Sequence, residues 1–282
     1  MAPFGRTRSP RRLSRQVTPP SAEERARVVV ANNVQQARSF TIVLGDFGRL
    51  LGMHVPDGFL DAPTSIGTAV VAVAGVSLAL SRARRELDDR TAPLAGLVAV
   101  FVFAAQMLNF PVGAGTSGHL LGGTLAAVLV GPWTATLCLT VVLAVQALLF
   151  ADGGITALGT NVTLMALVGV WTGWLVFVGL RRVARGYGLK AVPALAGGAA
   201  FVSVPVAALA FTALYAVGGR APIPLGELVT AMVGWHTVIG LGEGVITLLA
   251  VGSIIATRPD LVHGARGLVE TRQLEIRTEA HA

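Results

Sequence analysis

The chain has 282 residues, of which 53% are hydrophobic and 13% charged, with a mean hydropathy of +0.69. A soluble domain carries about 25% charged residues, so this composition points to a multi-span α-helical membrane protein rather than a large soluble core. The 1 cysteine excludes a disulfide framework, a cysteine-based zinc site and an iron–sulfur cluster within one chain. Lys190, the single lysine, has neither the glycine frame before it nor the Ser or Thr after it that a P-loop needs. Any ATP-driven work therefore falls to a partner.

In chain order, residues 1–52 come first. They hold nine arginines against Glu23, Glu24 and Asp46, so nearly all of the formal net charge of +7 lies here. The hydrophobic body has no basic face, which removes the usual reason to expect nucleic acid as a partner. Apolar runs in this segment stop at Asn32-Asn33 and at Gly45-Asp46, too soon for a secretory signal. The segment reads as a basic, disordered extension.

Membrane spans are expected at about 64–81, 92–109, 119–131, 133–150, 162–180, 191–217 and 228–256. Most approach the roughly 20 residues that cross the hydrocarbon. The third, cut off by Gly131-Pro132, is expected to be short or partly buried. The fold class is thus all-α and polytopic, with about seven transmembrane helices. Basic residues cluster in alternate loops: Arg82, Arg84, Arg85 and Arg90, then Arg181, Arg182, Arg185 and Lys190, then Arg258, Arg266, Arg272 and Arg277. The opposite loops hold only Arg220, beside Asp57, Asp61, Asp152 and Glu227. The positive-inside rule then puts the segment before the first span outside and residues 257–282 in the cytoplasm as a tail. A strongly basic extension on the outer face breaks that rule. Either it is a topological exception, or the mature protein starts at Met53.

The chemistry of the segment beginning at Met53 bears on that choice. In Met53-His54-Val55-Pro56-Asp57-Gly58-Phe59-Leu60, a free Met53 amine, the His54 backbone nitrogen and the His54 Nδ1 can close adjacent five- and six-membered chelate rings on one ion. A deprotonated backbone nitrogen favours Ni(II), Cu(II) or Co(II) over Mg²⁺ and Ca²⁺. His119, on the same side at the start of the third span, can supply a fourth nitrogen. Taken singly, each histidine reads more simply as a cap or a polar core group. The combination depends on Met53 being the chain start, because an internal Met53 has no amine to offer. His236 fits less well, and His263 and His281 fall in the cytoplasmic tail.

Met53–Leu60, Gln106–Val112, Ser117–Gly123, Gln146–Gly154, Leu158–Asn161 and His236–Glu243, in this order, resemble the CbiM/NikM family over about residues 53–256. These are substrate-binding membrane components of energy-coupling factor transporters for cobalt and nickel. The resemblance implies a Co²⁺ or Ni²⁺ ion as cargo, with no organic cofactor. The ion is held by the Met53 amine, the His54 amide and ring nitrogens, and His119. It also implies partners: a transmembrane coupling subunit, two cytoplasmic ATP-binding subunits and a small CbiN/NikN-like membrane protein. The expected place is the cytoplasmic membrane. The 52-residue extension is absent from the family pattern.

Polar groups on the same side that can orient a metal-bound imidazole are Asp57, Asn109, Thr116, Ser117, Asp152 and Asn161. Asp152 and Asn161, which bracket a Gly-rich loop, can also serve simply as turn and helix caps. His236 and Glu243 lie two turns apart inside the last span, where an ionisable group needs an interior partner. They leave a second function open, a membrane-embedded enzyme using the two as acid and base. Neither a zinc-protease His-Glu-x-x-His nor a Gly-x-Ser-x-Gly elbow accompanies them. The spacings Gly118-x-x-x-Gly122, Gly169-x-x-x-Gly173 and Gly240-x-x-x-Gly244 predict close helix packing.

Overall fold

The computed structural model describes residues 54–87, 91–113 and 116–269. The 1–52 extension, Met53, and His281 with the end of the tail lie outside the described residues. Five helices are long and apolar enough to cross a membrane: α1 (Ala62–Ala83), α4 (Pro132–Leu149), α5 (Leu158–Val183), α6 (Val192–Gly218) and α7 (Leu225–Thr257). A sixth apolar helix, α2 (Thr91–Gln106), is shorter at 16 residues. The third expected span is short and buried, as its interruption at Gly131-Pro132 predicts, and differs only in being too short to span. It is the eight-residue helix α3 (Gly123–Val130), every residue of which is buried. Eight residues rise only about 12 Å, so α3 is an internal plug packed against α2, α4, α5, α6 and α7.

The second difference lies just before α3. The end of the predicted second span and the start of the third form an antiparallel hairpin, β1 (Asn109–Gly113) and β2 (Thr116–His119), in which Asn109 pairs with His119. Gly118 is therefore in a strand and Gly122 in a turn, and their spacing packs no helices. The other two spacings do pack. A Cβ on Gly240 would come within 2.8 Å of the Phe201 carbonyl, and one on Gly244 within 2.9 Å of the Gly197 carbonyl, so α6 and α7 touch backbone to backbone. Gly173 faces Thr124 of α3 with no room for a methyl group.

The helices wear their large apolar residues outward. On α1, Ile66, Val70, Val73 and Leu80 are more than half exposed, while Thr68, Ala72, Ala79 and Ala83 are buried. Lipid tails are as apolar as leucine, so small and hydroxyl residues that allow close approach take the interior. Thr68 Oγ1 and Thr160 Oγ1 share a 2.8 Å hydrogen bond between α1 and α5, and Thr163 donates to the Thr68 carbonyl at 2.8 Å.

Two buried carboxylates seat the α3–α4 pair. Glu243 on α7 accepts from the Leu121 and Gly122 amides at 2.7 and 3.0 Å, capping the start of α3. Glu86, just past α1, accepts from the Thr134 amide at 2.7 Å, the Thr134 hydroxyl at 2.9 Å and the Trp133 amide at 3.2 Å, capping α4. Burial raises the Glu86 carboxyl above its usual range, against the pull of those donors. Glu86→Ala would strand chiefly the buried Thr134 amide, since the Trp133 amide is only part-buried and the hydroxyl can turn to another acceptor, and is expected to cost about 1–3 kcal/mol, read as a lower unfolding temperature in detergent. At this same end the first part of the expected tail is packed rather than loose. Arg181 donates to the Gly264 carbonyl at 2.7 Å, Arg266 to the Glu86 carbonyl at 2.8 Å, and His263 lies against Trp174.

Candidate metal centre

The opposite end of the bundle is where His54 and His119 meet. The segment 54–60 has little regular structure of its own and is held from three sides. Asn161, at the start of α5, accepts from the Val55 amide at 3.0 Å and donates to the Val55 carbonyl at 3.2 Å. Gly154 also donates to that carbonyl at 3.0 Å. Leu60 bridges to Gly219 past the end of α6, and Phe59 stacks on Phe211 and Tyr215. Immediately after Asn161 the helix widens into a π-helical segment, Val162–Gly169, a distortion that recurs at functional sites. Asn161 is thus a clamp on the residue next to His54. Asn161→Ala is expected to weaken metal binding about 10–100-fold, as loss of a ligand-orienting group does, measurable by titration calorimetry with nickel.

His119 comes from the other side, at the end of β2. Its Nδ1 lies 2.9 Å from the Leu120 carbonyl. A carbonyl only accepts, so Nδ1 carries the proton and Nε2 keeps its lone pair. The ring is buried, with the His54 ring beside it. The loop between His119 and α3 is pinned twice. Glu243 holds the Leu121 and Gly122 amides, and the fully buried Gln106 donates to the Leu121 carbonyl at 2.8 Å. Gln106 has a positioning role that the sequence reading missed. Its signals are an amide side chain at the end of an apolar run and its place at the head of the Gln106–Val112 motif.

The two imidazoles are both buried, with ring centroids 4.7 Å apart. His54 Nε2 is buried without a hydrogen-bond partner, and His54 Nδ1 is 3.2 Å from Asp152 Oδ2, close but not aligned as a hydrogen bond. Gly153, with φ of +85°, lies against the His54 Cβ, where a side chain would collide. Both rings face a cavity of about 480 Å³ that also takes in Ser117, Asn161, Met165 and His236. Among the described residues, no three His, Cys, Asp or Glu side chains converge on one point. An ion here would need donors beyond these side chains.

The remaining expected residues sort by contact. Asp57 lines the same cavity, and its carboxylate accepts from the Thr156 hydroxyl and from the Thr156 amide at 2.8 Å, bonds that hold it below the usual range and close the 151–157 loop. Asn109 and Thr116 belong to the hairpin, Asn109 opposite His119. His236 and Glu243 do not form a pair. The His236 Nδ1 bonds the Met232 carbonyl at 2.8 Å, while both Glu243 oxygens are taken by the amides before α3.

Three comparisons bear on the family and the fold. The family model described as the cobalt uptake substrate-specific transmembrane region, CbiM, matches residues 54–261. A protein of Haloquadratum walsbyi named for metal transport is 42% identical over 214 residues, 74% of this chain and 93% of its own. The fused nickel transport protein NikMN of Rhodobacter capsulatus is 35% identical over 223 residues, 74% of this chain and 64% of its own. A solved structure of a truncated transition metal transporter superposes with a TM-score of 0.67 at 30% identity, covering 72% of this chain and 99% of that one. The match begins at His54 and runs through β2, the internal helix and α7, so it spans the segments that carry both imidazoles in this chain. On that extent of agreement the chain belongs to the CbiM family of multi-pass membrane proteins.

Proposed function

We propose that this protein is the metal-binding subunit of an importer for Ni²⁺ or Co²⁺, in which the cargo ion is held by His119, the His54 ring and amide nitrogens, and the amine of Met53. The observation that carries the reading is the buried pair of imidazoles 4.7 Å apart beside the His54 backbone. Neutral imidazole and backbone nitrogen suit late first-row ions and discriminate against Mg²⁺ and Ca²⁺. Asp152 faces the His54 ring and orients it. Asn161 fixes its backbone, and Gln106 with Glu243 fixes the loop beside His119.

Arg82, Arg84, Arg85, Arg181, Arg182, Arg185, Lys190, Arg258 and Arg266 all lie at the end of the bundle away from the histidines. By the positive-inside rule the histidine end faces outward and the arginine end the cytoplasm. The chain has no P-loop, so the ion is carried inward by ATPase subunits acting through a membrane coupling subunit. The NikMN relative is named as a fused protein, which supports a small NikN-like partner here.

The amine is the testable part. Nickel titration of a chain starting at Met53 with a free amine should show binding, and the same chain acetylated at Met53, or carrying residues 1–52, should lose it. Equal affinity in all three forms would remove Met53 from the site.

A further inference from the structure

A second recess lies at the opposite end of the molecule from the histidines. It has a volume of about 330 Å³ and receives Arg181, Arg182 and Arg185 from the end of α5 and the turn after it, and Arg266 from the C-terminal segment. Among the described residues none of the four forms an ion pair with a carboxylate. Arg181 and Arg266 spend donors on backbone carbonyls, which satisfy hydrogen bonds but neutralise no charge. The Glu86 carboxylate, bonded to the start of α4, feels the Arg266 charge and offsets part of it, leaving Arg181, Arg182 and Arg185 without a carboxylate partner among the described residues. Each guanidinium has five N–H donors, so most remain unused. Four like charges around one recess repel each other, and an anion seated between them removes that repulsion.

The rest of the recess points to the kind of anion. Its wall includes Val178 and Leu195 from α5 and α6. Next to it Val183 and Tyr187 are 90% and 77% exposed. A tyrosine and an apolar rim beside arginines at a helix end match the level of lipid head groups. We propose that this recess binds the phosphodiester head group of an anionic membrane lipid, its acyl chains lying along the α5–α6 wall. The bound phosphate ties Arg266, and with it the C-terminal segment packed beneath α3, to the end of α5. The proposed orientation only chooses the leaflet, so lipid binding in detergent can succeed or fail independently of the metal reading.

The test is native mass spectrometry of the full chain with phosphatidylglycerol, phosphatidylcholine or inorganic phosphate. Phosphatidylglycerol should be retained and phosphatidylcholine not, with retention falling steeply as salt is raised. The double variant Arg182→Gln/Arg185→Gln should bind phosphatidylglycerol about thirty-fold more weakly, at roughly five-fold per arginine, with unchanged helical circular dichroism. Equal retention of the two lipids, salt-independent retention in the parent, or undiminished binding in a folded double variant would overturn the proposal. Binding of inorganic phosphate without phosphatidylglycerol would also overturn it, marking a site for a free anion.

Discussion

His119→Ala is expected to reduce nickel or cobalt binding by more than about a hundred-fold, beyond the 10–100-fold typical of a group that only orients a ligand. His119 Nε2 is the one ring nitrogen at the cavity contributed by the hairpin side, and the neighbouring His54 cannot replace it because the two rings come from separate elements. The fold should survive, since among the described residues the hydrogen bond of this ring goes to the carbonyl of the next residue. His54→Ala should be equally severe. His236→Ala should keep its metal, because its ring lines the cavity but its Nδ1 is bonded along α7. Calorimetry on the three variants decides the matter. Loss of metal in His236→Ala, with retention in the other two, would move the site along the cavity to α7 and revive an acid–base role there.

The largest effect on stability is expected from Glu243→Ala. The carboxylate is 2% exposed, and both its oxygens are engaged by main-chain amides. Removing it strands two buried N–H groups, each costing about 1–3 kcal/mol, so a loss of roughly 2–6 kcal/mol is expected in detergent unfolding. The amides belong to the two residues that lead from His119 into α3, so metal affinity should fall in parallel. Glu243→Gln keeps one acceptor and should lose about half as much stability. If Glu243→Ala unfolded like the parent and bound metal normally but failed to transport, a proton-relay role would replace this structural one.

Much of the architecture was legible in the sequence. The long helices α1, α4, α5, α6 and α7 lie within a few residues of the expected spans. His54 and His119 were expected on one side of the membrane, and the structure brings their rings together. The misreadings cluster between 107 and 131. There, apolar residues alone could not distinguish a spanning helix from a hairpin followed by an eight-residue plug, because a buried helix and a lipid-facing one share the same composition. Asp57 lines the same cavity as the imidazoles, and the bond of its carboxylate to Thr156 could not be read from its place in the loop.

Hydrophobic length, loop charge and the alternation of sides are additive along the chain, and from them the sequence alone determined a polytopic helical protein with His54 and His119 at one end and most of its loop arginines at the other. Which groups hold one another was decided only by the tertiary structure. Asn161 grips Val55 across 106 residues, Glu243 grips Leu121 across 122, and Glu86 grips Thr134 across 48. Each of these bonds exists because a buried polar group must find a partner where no water reaches it. That partner is set by how the helices pack, not by anything near it in sequence.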